Sequence, residues 1–391
     1  MSESRISGAL EGIRVLDLTR ALAGPFCTML LADMGAEVIK IEVPNKGDDT
    51  RCFPPFYKRD DGYSESAYFI NINRNKKSIA LNLKEHKERD IFLKLVAKSD
   101  VVAENYKPGV MEGFGLGYSV LKEINPGVIY AAISGFGQYG PYSDREAYDL
   151  IGQAMGGMMS VTGWPGGPPT RTGTAIADIL AALYCCVGIL AALRAREVMG
   201  IGQMIDVALM DSVVAAHPAI NQLYIVEGRV PSRIGNRYEF TYPYDSFKAA
   251  DGWLTLATAN DELWRKLCYL IGEEGLVEDT RFDTMEKRVS NHALIKPIVE
   301  KWTSQRKKDE AISTLREHGI PAAPILSIDE VVKDPHMKAR EMFVDLEHPR
   351  LGKVKLSGCP IKMSVTKPTV KTPAPLLNEQ GKDILARLLD D

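Results

Sequence analysis

"IRVLDLTRALAGPFCTMLLADMGAEVIKIE" (residues 13–42) reads as a strand, a helix and a second strand in one short stretch. IRVLDL (13–18) and AEVIKIE (36–42) are rich in Val, Ile and Leu. Between them GPFCTMLLADMG (24–35) is apolar and has a glycine at each end. Strand, helix, strand is the building unit of a parallel sheet with helices on its faces. The pattern continues. SIALNL (78–83) alternates at period two, HKERDIFLKLVAKS (86–99) has helical spacing, and DVVAENY (100–106) and GVIYAAISG (127–135) read as further strands. The N-terminal third therefore predicts an α/β fold.

The middle of the chain predicts helices over 148–161, 176–198 and 208–227, with a short strand GQMIDVAL (202–209) before the last. Composition changes near 228–245, where GRVPSRIGNRYEFTYPYDS is rich in Gly, Pro and Tyr and predicts a linker. GWLTLATA (252–259) then opens a smaller α+β segment with helices near 261–272, 291–303 and 307–318. GKVKLSGCPIKMS (352–364) reads as a returning hairpin, followed by a Pro-rich crossing segment, KPTVKTPAPLL, and a short final helix. The expected division is a large domain over 1–227, completed by 330–391, and a small one over 228–329.

Composition excludes several classes. The chain has 391 residues, 45% of them hydrophobic and 25% charged, with a net charge of −3. No global basic field invites nucleic acid or an acidic membrane. The six cysteines form no CxxC, no Cys/His pattern has zinc-ligand spacing, and HExxH is missing, so no metal centre is expected. GFGQYG (135–140) fits GxGxxG after a strand, but Pro141 follows at once and no helix opens on the last glycine. The first strand–helix junction, TRALAGPF, has one glycine where a dinucleotide fingerprint needs more. Neither nicotinamide nor flavin is expected. There is no GxSxG, and the histidines form no triad. The N-terminus has no apolar leader, which points to a reducing cytoplasm.

TAIADILAALYCCVGILAAL (174–193) is apolar long enough to approach a membrane span. It carries one acid, Asp178, and the chain has no second candidate span, so a core helix is expected and no membrane. Asp178 has two readings. It is an acid in the first turn of a helix, where the dipole favours negative charge. It is also a carboxylate nucleophile of the kind that forms covalent acyl intermediates, kept ionised by that same helix end. The residues alone leave both open.

Long ordered stretches then decide the family. LEGIRVLDLTRALAGPFCTMLLADMGAEVIKIEVPNKGDDTR (10–51), ININRNKKSIALNLK (70–84), VVAENYKPGVMEGFGLGY (101–118), AYDLIGQAMGGMMSVTGWPGGPPTRTGTAIADILAALY (147–184) and GNRYEFTYPYDSFKAADGWLTL (235–256) resemble the class III CoA-transferases, the family of formyl-CoA transferase and carnitine CoA-transferase. The resemblance covers nearly the whole chain. It implies a Rossmann-like large domain with a smaller α+β domain, in an intertwined homodimer. It implies coenzyme A, carried as an acyl-CoA thioester, and a carboxylic acid as substrates, with no resident cofactor. Asp178 falls at the family's catalytic aspartate, which passes through an aspartyl anhydride and an aspartyl-CoA thioester. The family's CoA-contacting segments fall here on Leu22 and Ala23, on Leu81, Asn82, Leu83 and Lys84, on Asn105, Tyr106 and Lys107, and on Tyr148 and Asp149. Lys76 and Lys77, with Lys84 and Lys107, are lysines that could meet the CoA phosphates.

The departures bear on specificity. Arg20 stands where formyl-CoA transferase has a histidine, and Val43 where it has an arginine. The glycine-run loop of that enzyme is replaced by GNRYEFTYPYDS. Arg20 beside the acyl site, with Tyr148 near the substrate, points to a second carboxylate on the acceptor or donor, as in a succinyl group. The α-methylacyl-CoA racemases of the same fold resemble this chain too, but have GHD where it reads AYD (147–149). The phenol of Tyr148 is a poor base at neutral pH. A third reading is a non-catalytic subunit of a two-subunit transferase, which would have little need of Asp178.

Overall fold

The computed structural model describes residues 8–389. The chain falls into two compact units. One is built from residues up to 158, from 171–228 and from 335 onward. The other comprises 159–170 and 229–334.

The first unit is organised by six parallel strands: β1 (Arg14–Asp17), β2 (Glu37–Glu42), β3 (Lys76–Ala80), β4 (Val101–Glu104), β5 (Ile129–Ser134) and β6 (Met204–Ala208). Their spatial order is β3-β2-β1-β4-β5-β6. This is the doubly wound arrangement, and the order reverses between β1 and β4. Successive strand residues point to opposite faces, so each strand feeds two cores. Val15, Val38, Val101 and Ile129 meet α1 (Ala23–Asp33) and α4 (Ile176–Met199) on one face. Leu16, Ile39, Val102 and Tyr130 meet α2 (His86–Ala97) and the final helix on the other. Burial on both faces explains why these strands read as apolar runs.

The apolar helix α4 is a core helix on one side only. Ala177, Ala181, Cys185, Ile189 and Ala192 form its buried stripe. Leu183, Tyr184 and Val187 on its other side are exposed.

Several elements differ from the sequence reading. The stretch 148–161 is two helices, α3 (Asp149–Met155) and a single turn at Met158–Val161, separated by Gly156 and by Gly157 at φ +89°. The stretch 208–227 is α5 (Leu209–Ala215) and a second helix at Ile220–Glu227, because Pro218 disfavours helical backbone at His217. The third strand starts at Lys76, two residues before the alternating run. The tail hairpin pairs Phe343–His348 with Gly352–Ser357, so 358–364 carries no strand.

The second unit holds a three-stranded antiparallel sheet, with Gly252–Ala257 between Tyr244–Ala249 and Ala322–Pro324. Phe247, Leu254, Trp264, Leu267, Val299 and Leu315 make its own core.

Candidate active site

In a doubly wound sheet, loops from adjacent strands diverge at the carboxyl edge where the order reverses, and this opens a crevice. Here the crevice lies between the loops after β1 and β4. The β1 loop, 18–22, is held from below by buried charges. Lys40 Nζ donates to the Thr19 carbonyl at 2.8 Å and pairs with Asp48 at 2.8 Å. Lys76 Nζ donates to Asp17, Thr28, the Pro25 carbonyl and Asn73, all within 3.0 Å. Burial alone would raise the Asp17 carboxyl, but the Lys76 and Lys40 ammoniums hold it well below the usual carboxylate range. Ala21 sits at φ +63°, an uncommon conformation for a residue with a side chain. A Cβ on Gly24 would lie 2.2 Å from the Thr19 Cβ, so only glycine lets α1 start so close to the loop.

The two loops are latched together. The Arg20 N–H donates to Asn105 Oδ1, and Asn105 Nδ2 donates to the Arg20 carbonyl, each at 2.7 Å. The Arg20 guanidinium lies 3.6 Å from the Asp49 carboxylate and 5.3 Å from the centre of the Tyr106 ring.

The opposite wall is the start of α4. Its N-cap, Ala175, offers no side-chain acceptor. Asp149, at the start of α3, supplies the acceptor: the Ala177 N–H donates to its Oδ1 at 2.9 Å. Gln153 Nε2 donates to Asp149 Oδ2 at 2.8 Å, and Gln153 Oε1 accepts the Thr172 N–H at 3.0 Å. Capping by Asp149 leaves Asp178 free of that task. The Asp178 carboxyl has no hydrogen-bond or ion-pair partner among the described residues. Burial pushes it up to about 7, with a smaller push from the Asp149 charge. Burial thus works against the helix end, which favours the ionised form. The Tyr68 phenol is pushed up to about 12, first by burial and then by the charges of Asp178 and Asp48.

Together these walls enclose a cavity of about 280 Å³. Of the residues singled out in the sequence, Arg20, Leu22, Ala23, Asn105, Tyr106, Lys107, Tyr148 and Asp178 line it. Leu81, Asn82, Leu83, Lys84 and Asp149 do not. The Leu81 and Leu83 side chains pack in the β-sheet core, Asn82 Oδ1 accepts the Lys84 N–H, and Lys84 is exposed. Asp149 is buried and its carboxylate is occupied by the helix cap. Lys76 is sealed in its ion pair with Asp17, and Lys77 pairs with Glu37 at 2.7 Å, so neither is a free cation for a phosphate. Asp49, Arg145 and Glu146 line the cavity without having been singled out. The charged run DRE before AYD was the signal for Arg145 and Glu146, and the acidic pair in KGDDTR for Asp49.

A larger hollow of about 630 Å³ touches Asp33, Lys77, Lys371 and Gln380 but none of the cavity residues. No group of three or more His, Cys, Asp or Glu placed to hold a metal occurs among the described residues.

Residues 10–381 match the model described as CoA-transferase family III. The chain belongs to CoA-transferase family III. The family III assignment extends through whole-length relatives. A succinyl-CoA:mesaconate CoA-transferase of Haloarcula hispanica is 41% identical, over 97% of this chain and 96% of its own. An acetyl-CoA:oxalate CoA-transferase of Acetobacter aceti is 41% identical, over 96% and 94%. The crystal structure of a CAIB/BAIF family protein from Brucella suis superposes with a TM-score of 0.87 at 39% identity, covering 98% of this chain and all of that one. The family and enzyme class expected from the sequence motifs are thus established: this is a class III CoA-transferase with a parallel α/β core.

Proposed function

We propose that this CoA-transferase moves CoA from an acyl-CoA donor to a dicarboxylic acid, with Asp178 as the covalent nucleophile. The observation that carries the reading is an unpartnered, half-buried carboxyl facing a cavity that also holds Arg20. The Asp178 carboxylate attacks the thioester carbonyl. The C–S bond breaks, leaving a mixed anhydride and CoA thiolate. The thiolate attacks the Asp178 carbonyl, forming an aspartyl-CoA thioester and releasing the donor acid. The acceptor carboxylate attacks that thioester, giving a second anhydride and thiolate again. Attack of the thiolate on the acceptor carbonyl yields the new acyl-CoA and restores Asp178. Each step exchanges one acyl partner for another, and bound substrates filling the cavity would keep water from the anhydrides.

Arg20 is the specificity residue of this reading. Its guanidinium suits a carboxylate, and its one ion-pair partner among the described residues, Asp49, is 3.6 Å away and shared with Lys46. Mesaconate and oxalate, the acceptors named for the two relatives, are both dicarboxylates, which supports a diacid for this chain. Leu22, Ala23, Asn105, Tyr106 and Tyr148 would flank the acyl group and pantetheine. Lys107, with no ion-pair partner among the described residues, would meet a CoA phosphate, and Asn82 and Lys84 the adenosine end. The exposed Leu183, Tyr184 and Val187 on α4 support an interface with a second copy; an interlocked homodimer in the cytoplasm is the assembly and location of this reading.

Hydroxylamine trapping after incubation with succinyl-CoA tests the covalent route. A hydroxamate on Asp178 is expected. An Asp178→Ala variant with undiminished transfer would end the reading. A loss of several orders of magnitude is expected, as for removal of a covalent nucleophile.

A further inference from the structure

The helix that carries Asp178 cannot cap itself. Ala175 at the N-cap has only a methyl group, and the Ile176 N–H turns back to the Thr174 carbonyl at 2.9 Å. The cap comes from Asp149, twenty-eight positions earlier, through the Ala177 N–H. Asp149 is itself fixed by Gln153, a fully buried amide. The same amide accepts the Thr172 N–H, and the Thr172 hydroxyl donates to the Thr174 carbonyl at 2.7 Å. Two side chains of α3 thus hold both the approach to α4 and its first turn, one residue from Asp178.

We propose that Asp149, held by Gln153, is a positioning residue of the transfer reaction: it fixes the first turn of α4 and places its own negative charge beside Asp178. The proposal rests on Asp178 being the nucleophile. A simple cap needs only an acceptor, and serine, threonine or asparagine would serve. An aspartate adds a like charge, which favours the protonated form of its neighbour. The other charged or titratable groups around Asp178 are Tyr68 from the helix Ala67–Ile72, Asp48, Arg20 and Asp49 from the loops after β1 and β2, and Tyr106, Lys107, Arg145, Glu146 and Tyr148 on the cavity wall. None of them accepts from α4. Arg171 Nη1, 3.9 Å from Asp149 Oδ2 and half exposed, is the cation that tempers the Asp149 charge.

The cap and the charge can be separated. Asp149→Asn keeps an acceptor for the Ala177 N–H and removes the charge; Asp149→Ala removes both. The readout is kcat/KM for succinyl-CoA against pH, whose acid limb reports the free enzyme's essential base. In both variants the limb moves to lower pH by about one unit. The plateau falls about tenfold in Asp149→Asn, which leaves Gln153 Nε2 without its acceptor, and about 100-fold in Asp149→Ala, where the nucleophile is misplaced. Arg171→Met, at an exposed side chain, is the companion that does not depend on these variants folding. It leaves the Asp149 charge less compensated and moves the limb to higher pH. A limb that stays in place in Asp149→Asn and in Arg171→Met overturns the electrostatic half of the proposal. Equal plateaus in Asp149→Asn and Asp149→Ala overturn the positioning half. Undiminished transfer by Asp178→Ala would instead sink the nucleophile reading, whatever Asp149 does.

Discussion

Replacing Asp178 by Asn removes the charge and keeps the shape, and the structure predicts opposite effects on activity and stability. The Asp178 carboxyl is pushed up to about 7 in the folded protein from an ordinary 3.8, mostly by burial. A carboxyl whose proton affinity is raised by folding costs nothing while both states are protonated. The cost grows as pH rises through the unfolded value and is complete above the folded one. The window is therefore about pH 4 to 7, and at pH 8 the cost is at most about 4 kcal/mol. Asp178→Asn recovers it. Unfolding entropy is about 2.1 cal/mol/K per residue, so for this chain the gain is a Tm higher by about 5 °C at pH 8. At pH 5 the unfolded carboxyl is ionised but the folded one is not, and the gain shrinks to about 2 °C. Scanning calorimetry of parent and variant at the two pH values measures this, and the transfer assay on the same samples should show activity lost. A Tm difference that is the same at both pH values would mean that packing, not charge, separates the proteins. A lower Tm at pH 8 would mean that Asp178 is a stabilising first-turn acid.

Arg20→Met should raise KM for diacid acceptors by about 30–100-fold and leave monoacids nearly unchanged, since a charge-assisted bond to the distal carboxylate is lost. Competition between a diacid and a monoacid acceptor, read by the acyl-CoA formed, checks it. Lys76→Met leaves the buried Asp17 carboxylate with Thr19 and Thr28 as hydrogen-bond donors and Lys40 as the remaining nearby cation. It should cost about 3–5 kcal/mol in urea unfolding, part of which Asp17→Asn restores in the double variant. Gly24→Ala forces its Cβ against Thr19. It should cost about 1–3 kcal/mol in the same assay and slow transfer by shifting the Arg20 loop.

Lys76 shows how chemistry hid part of the fold. The strand reading began at Ser78 because a lysine looks like surface, yet Lys76 is buried and its ammonium meets four oxygens. A burial pattern cannot be read from residue types when the buried cation is paid for by partners 3 to 59 positions away. The same holds for the phosphate role given to it. Elsewhere local signals were enough. The glycines around 24–35 and the β-branched runs beside them located β1, α1 and β2, and Pro218 carried the information that splits 208–227 into two helices. The strand order was out of reach, because pairing β1 with β4 joins Val15 to Val101 across eighty-odd residues.

The site was legible where it coincides with loops that follow strands. Leu22, Ala23, Asn105 and Tyr106 end up on one cavity because the doubly wound order gathers the carboxyl ends of β1 and β4. Leu81 and Leu83 follow β3, at the edge of the sheet, and their alternation turns them into the core. Asp178 is the instructive case. Its apolar setting first reads as a reason for the acid to be something ordinary, such as a cap. The structure gives the cap to Asp149, and in the proposed mechanism the apolar setting becomes the cause of the chemistry. Without partners, and half-buried, the carboxyl is held at a proton affinity above that of an ordinary aspartate. A site tuned for stability would pair that carboxyl or replace it; a half-buried, unpaired acid on the wall of a cavity is what the proposed nucleophile role requires.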